Sequence, residues 1–244
     1  MAKLQVGLAN QAASVDTAEL HPLAAALNIQ VQHVAAHWPA ADAEVIVLDS
    51  PKLIPSGVSP IFIVDQIDGG FAGFHRYVQG IPWAMVSAKR DWRLAASHEL
   101  IELLIDPTGE QITRSRRLDL ADGEVKELDD EVDYLLEACD PLEDPAHAYP
   151  IGEVTVSDFY TPSYFDRDAQ PGVQYSHTGA ITRPRQVLPN GYLSWRLPDG
   201  SYRQLRNFGA YEIVAIPGGA REATQSTRGF IDQRTPTPRT AEVT

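Results

Sequence analysis

The sequence predicts an α+β fold: a mixed, twisted sheet packed on a long N-terminal helix and a central HExxE helix, with an irregular, β-rich C-terminal part. Three observations lead there. Residues 16–38 place Leu20, Leu23, Ala24, Leu27, Val31 and Val34 three and four apart, the period of one helix face. The runs 45–48 and 61–64 are short, β-branched and bounded by turn residues, as sheet strands are. From Tyr149 onward the chain alternates in short runs broken by Gly, Pro and Asp, which suits short strands and loops folded back on the sheet.

Taken in order, the first helix has Asp16 and Thr17 as caps, tolerates Pro22 only in its opening turns, and is stopped by Pro39. A loop over residues 50–60 separates the two strands that follow. Residues 71–78 and 82–86, divided by Gln79-Gly80, form a strand pair or hairpin. The segment 92–105, WRLAASHELIELLI, is the most strongly marked helix, capped by Asp91 and ended by Pro107. Residues 111–120 suit a hairpin arm, and the stretch ending in Glu137-Ala138-Cys139-Asp140-Pro141 suits a short strand or helix. Eight acidic residues between Asp119 and Asp133 read as a solvated surface. Residues 1–215 make one globular domain, and residues 216–244, rich in Gly, Thr, Pro and Arg, make a flexible tail.

Composition narrows the function. The chain of 244 residues is 43% hydrophobic, enough for a real core, and its formal charge of −13 repels phosphate backbones and anionic lipid heads. Nucleic acid and membrane are therefore not expected partners. A single cysteine, Cys139, excludes an intramolecular disulfide and a Cys-rich metal cluster. The opening residues lack the apolar stretch of an export signal, so a cytoplasmic location is expected. No Walker motif, dinucleotide fingerprint, EF-hand loop or nucleophile elbow is present.

The chemistry concentrates in Ser97-His98-Glu99-Leu100-Ile101-Glu102. On a helix, His98 and Glu102 lie one turn apart and about 40° apart around the axis, so both can reach one cation. Glu99 sits one position round, where a carboxylate can take a proton from a metal-bound water without being a ligand. This is the mechanical logic of the HExxH metalloprotease helix with a carboxylate in place of the second histidine. Leu94, Ala95, Ala96, Leu100, Ile101, Leu103, Leu104 and Ile105 surround the three polar groups, and burying them is costly unless they are paired or liganded. The competing reading is an ordinary polar face paired with Arg90, Arg93 or Arg114. A third ligand is needed. Glu137 is the preferred candidate because it arrives from a separate element, with Asp140 and Asp106 as alternatives; Asp106 lies roughly 12 Å along the same helix from His98. Cys139 suits a small buried thiol, and Ser97 a small packing residue.

The set GFAGFHRY, SHELIELLIDP, EACDP, VSDFYTPSYF and NGY, spread over residues 60–195, resembles a group of uncharacterised bacterial and phage proteins with a zincin-like look. That group carries an ALGYH-like strand, a SHELxExLxDP helix, a YEVCDPV segment, a VSDFxxPxxF segment and a final GGY; this chain has Asn190-Gly191-Tyr192 at the last. The resemblance implies a zincin-like domain with His98, Glu102 and Glu137 as metal ligands and Glu99 as general base. It also implies an edge strand over residues 71–77 beside the helix, able to pair with an extended peptide. Zn is the expected metal, and a peptide or protein the expected substrate. Tyr192, Tyr160 and His75 are candidate oxyanion donors. The function expected is a metal-dependent hydrolase, a peptidase first. The alternative is a non-enzymatic phage or bacterial interaction protein with a structural metal or an ion-pair network at the HExxE helix.

Overall fold

The computed structural model describes residues 3–39, 41–89, 91–216, 227–232 and 234. Its first half is built on a five-stranded sheet. The chain enters through β1 (Leu4–Asn10), passes through helix α1 (Leu20–His37), and returns as β2 (Ala43–Val47) and β3 (Val58–Val64); the hairpin β4 (Gly73–Val78) and β5 (Ile81–Ser87) completes the sheet. The order is β2-β1-β3-β5-β4, parallel throughout except for β4, which runs antiparallel to β5 at one edge. β1 is a strand that the sequence pattern does not single out. Flanked on both sides and covered on its faces, it buries Val6, Leu8 and Ala9, so it shows no clean alternation.

Helix α1 begins after a short turn in which Asp16 and Glu19 form a reciprocal capping box, so the expected cap is in place. It buries Leu20, Leu23, Ala24, Leu27, Val31 and Val34, the face that the periodicity marks. Helix α2 (Trp92–Ile105) follows β5 and is capped by Asp91, whose side chain accepts from the Leu94 amide. It is buried along nearly its whole length, and packs against β3, β4, β5 and α1.

The second half is an antiparallel sheet. Strands β6 (Ile112–Ala121) and β7 (Glu124–Leu135) form a long hairpin. After a small sheet of β8 (Tyr149–Ile151) and β9 (Val154–Val156) come β10 (Tyr192–Arg196), β11 (Tyr202–Asn207) and β12 (Tyr211–Ile216), in the order β12-β11-β10-β7-β6. The acidic stretch is thus largely a strand. Its carboxylates are laced to arginines: Glu131 to Arg114, Asp130 to Arg117, Asp133 to Arg196, and Glu127 to the buried Arg185. Most of these carboxylates remain solvent-exposed, as the charge run predicts, and the arginines that pair with them come from β6, β10 and the segment before β10.

One continuous apolar core runs from Val6, Leu8 and Ile61 through Leu100 and Leu103 of α2 to Tyr134, Leu193 and Trp195 of the second sheet. Most of the expected tail lies outside the described residues. Within it, α3 (Thr227–Asp232) sets Phe230 and Ile231 against Leu135, Tyr202 and Ile216. Among the described residues no helix is long and apolar enough to cross a membrane.

Candidate metal centre

Helix α2 brings its polar residues to the place where both halves of the chain meet. Glu99 is 4% exposed and Glu102 fully buried, while the His98 side chain retains 14% exposure. His98 Nε2 lies 3.2 Å from Glu102 Oε1 and 3.4 Å from Asp140 Oδ1. On the other side of the same carboxylate, His75 Nδ1 of β4 lies 3.7 Å from Glu102 Oε2 and 3.6 Å from Glu99 Oε2. These make two groups of three potential ligands, His98–Glu102–Asp140 and His75–Glu99–Glu102, that meet at Glu102.

The donor spacings suit a cation. Ligands about 2.0–2.2 Å from a divalent ion stand roughly 3.0–3.5 Å from one another; the spacings from His98, 3.2 and 3.4 Å, fall in that range, and those from His75, 3.6 and 3.7 Å, lie just beyond it. Nitrogen and carboxylate oxygen are also the donors that such ions take. The arginines offered as alternative partners do something else: Arg93 pairs with Glu19 and Arg114 with Glu131, while Arg90 lies outside the described residues.

The approach of each element is set by a glycine or a hydrogen bond. A Cβ added to Gly73 of β4 would stand 2.6 Å from Glu99 Oε1, so only glycine lets the edge strand lie this close to α2. Asp140 sits in the turn after β7, where the Cys139 amide donates to Glu102 Oε1 at 3.3 Å. That turn is braced by the Leu188 amide, which donates to Pro141 O. It is also crowded by Gly191, whose added Cβ would meet Pro141 O at 2.4 Å. Asn190, just before it, holds φ +62°, a left-handed conformation that asparagine tolerates. The Asn-Gly of the NGY segment is therefore what lets β10 pass over the Asp140 turn.

Ser97 Oγ donates to Leu94 O and accepts from the Ser157 amide at 2.7 Å, so the residue ties α2 to the segment after β9 as well as packing there. Gln30 of α1 donates to the carbonyl of the same Ser157. Asp158 accepts from the amides of Phe159 and Thr178 and orders the loop that carries Tyr160.

Electrostatics follow from this burial. Desolvation opposes charge on His98, but Glu102 and then Cys139 and Asp140 overcome it and hold the imidazole well above the usual histidine range. Burial pushes the Cys139 thiol well up, and its Sγ–H is turned to His98 O at 3.9 Å. The Tyr160 phenol is raised by burial first, then by Tyr164, Glu137, Glu102 and Asp140, which places its hydroxyl in the field of the same carboxylates.

Of the residues singled out from sequence, His98 and Glu102 come together as helix geometry allows, while Glu99 faces His75 in the second group. Glu137 is buried three residues before Asp140 but belongs to neither group of three; Asp140, an alternative, does. Asp106 instead caps the turn after α2, accepting from Thr108 and Gln111. His75, considered from sequence only as a hydrogen-bond donor, stands among the potential ligands. Its spacing from the helix motif carries no signal; only the hairpin register reveals it. Tyr192 lies half-buried at the start of β10. A cavity of about 230 Å³ bounded by Leu118, Val125, Glu127, Val187 and Tyr211 lies elsewhere and contains none of these residues. No protein-family model matches this chain, and neither does any curated protein or solved structure.

Proposed function

We propose that this protein is a metal-dependent hydrolase whose cation is held by His98, Glu102 and Asp140, with the buried Glu137, three residues before Asp140, as a further candidate ligand. The observation that carries the reading is the convergence of His98 Nε2, Glu102 Oε1 and Asp140 Oδ1 beside the middle of α2. Zinc fits the donor set and spacing; Mn and Fe share its preference for nitrogen and carboxylate oxygen. A divalent cation there would supply Lewis acidity to water and to the carbonyl that water attacks.

The chain's own residues supply the rest. Glu99, one position round the helix from His98, is the proton carrier, a role that suits a carboxylate shielded from bulk water. Tyr160, whose buried hydroxyl has no hydrogen-bond partner among the described residues, is the oxyanion donor. The substrate that fits best is an extended peptide. β4 is an edge strand beside the site, its outer backbone groups are available for strand addition, and Tyr77, Val78 and Ile81 offer apolar contacts at its far end. A zincin-like arrangement of helix and edge strand is consistent with this.

A second reading, a closed structural metal centre in a non-enzymatic interaction protein, is favoured by one observation: of the five residues in the two groups, only His98 retains more than a few percent exposure. Metal analysis of the purified protein together with a peptide-hydrolysis screen separates the two. One or more equivalents of metal with turnover abolished by Glu99→Gln supports the hydrolase; bound metal with no turnover across the screen moves the conclusion to the structural centre.

A further inference from the structure

We infer that the centre holds two cations, the second between His75 Nδ1, Glu99 Oε2 and Glu102 Oε2, with Glu102 bridging the pair. The inference rests on the reading of a metal at His98, Glu102 and Asp140, and gives Glu99 a ligand's role in place of a proton carrier's.

The division of labour at Glu102 is the first support. Its two oxygens face opposite ways: Oε1 toward His98 at 3.2 Å, Oε2 toward His75 at 3.7 Å. A carboxylate that presents one oxygen to each of two histidines is placed as a bridge, and bridged cations in hydrolytic centres stand about 3.5–4 Å apart.

The second support is Glu99. Its Oε2 is buried, accepts no hydrogen bond among the described residues, and is turned toward His75, an arrangement that a shared ligand resolves. Gly73 lets β4 bring His75 down to this carboxylate; any larger residue would hold the strand away from it.

The third support is ligand supply. A catalytic zinc site uses three protein ligands and a structural one four. Here two histidines and three carboxylates, His75, His98, Glu99, Glu102 and Asp140, make two groups of three that share Glu102. Histidine nitrogens with bridging and terminal carboxylates are the donors that paired Fe or Mn ions take in other architectures, so a pair of first-row divalent cations is the ligand class. In peptide hydrolysis such a pair would hold the attacking water and the scissile carbonyl oxygen side by side, while the amine leaves with a proton.

The test uses the full chain, stripped with chelator and reloaded with Mn(II) or Zn(II). After desalting, elemental analysis is expected to give two equivalents in the parent, and one in Glu99→Gln and His75→Gln. Mn(II) electron paramagnetic resonance of the parent should show the multiline signal of an exchange-coupled pair, a readout independent of any variant's folding. One equivalent with an isolated six-line Mn(II) signal in the parent overturns the second site and leaves the first standing, provided His98→Ala loses it. No bound metal at all overturns both. Two equivalents retained by Glu99→Gln also overturn the inference, because they place the second ion elsewhere.

Discussion

Gly73 and Glu99 touch: the glycine's Cα faces the carboxylate so closely that a methyl group there would lie 2.6 Å from Oε1 and 2.8 Å from Cγ. The contact joins the edge strand to the site helix at the one residue with two proposed roles. Gly73→Ala should therefore cost about 1–3 kcal/mol as strand and helix are forced apart. It should also weaken metal retention, since His75 moves with β4. Thermal melts with and without added Zn check both effects; an unchanged melt would mean that β4 rides higher on α2.

Removing the ligands proper should act on metal before anything else. His98→Ala and Glu102→Ala are each expected to lose bound metal and to abolish the melting-temperature increase that metal gives the parent, because a cation bound only by the folded state stabilises it by mass action. Elemental analysis and differential scanning fluorimetry in the presence and absence of chelator provide the readout.

Ser97→Ala leaves the Ser157 amide without its acceptor in a buried place. A loss of about 1–3 kcal/mol is expected in urea denaturation. Metal stoichiometry should be unchanged, because Ser97 Oγ bonds only Leu94 O and the Ser157 amide and belongs to neither group of potential ligands.

Gly191→Ala drives a methyl group against two backbone carbonyl oxygens, Pro141 O at 2.4 Å and Asp140 O at 2.9 Å, which cannot swing aside as a side chain can. A cost at the upper end of ~1–3 kcal/mol is expected. Metal affinity should fall through displacement of Asp140, measured by competition with a chromophoric chelator.

A separate prediction concerns acid stability. His177 stacks between the rings of His33, at 4.7 Å, and Phe159, at 5.2 Å, with its Nδ1 3.5 Å from His37 Nε2. Burial, then His33 and His37, lower its pKa from 6.5 to about 4. Between those values the unfolded chain binds a proton that the fold refuses, so stability from this group is full above about 6.5 and is lost as pH falls toward 4. His37 is lowered as well, by burial first, and adds in the same direction. Asp158, raised by burial first, works the other way. Urea midpoints at pH 7.5, 6 and 5 should fall less steeply in His177→Phe, which keeps the stacking and removes the titration.

How much of this was legible in sequence depends on whether the signal is local. Helix α2 and its cap were readable because Asp91, the apolar positions and Pro107 all lie within one segment, and the convergence of His98 with Glu102 is fixed by helix geometry alone. The β4–β5 hairpin was announced by Gln79-Gly80, where both residues take positive φ. β1 was missed because a strand covered on both faces does not alternate. The acidic run is a solvated surface, as its charge density predicts; that it forms strand β7 and pairs with Arg114, Arg117, Arg185 and Arg196 is not legible locally, because those partners lie on other segments. The roles of His75 and Asp140 depend on strand register and on a turn braced by residues about fifty positions downstream, neither of which leaves a mark in spacing.

The backbone of Ser157 is held from both helices, its carbonyl by Gln30 of α1 and its amide by Ser97 of α2. Both grips bring a part of the chain beyond the second sheet's hairpin back onto the first half. An excised fragment ending near residue 110 would expose α2's apolar flank and leave two buried side-chain partners without their peptide. The first sheet should therefore not fold on its own, and the chain should unfold in a single cooperative transition that releases the HExxE helix and both sheets together.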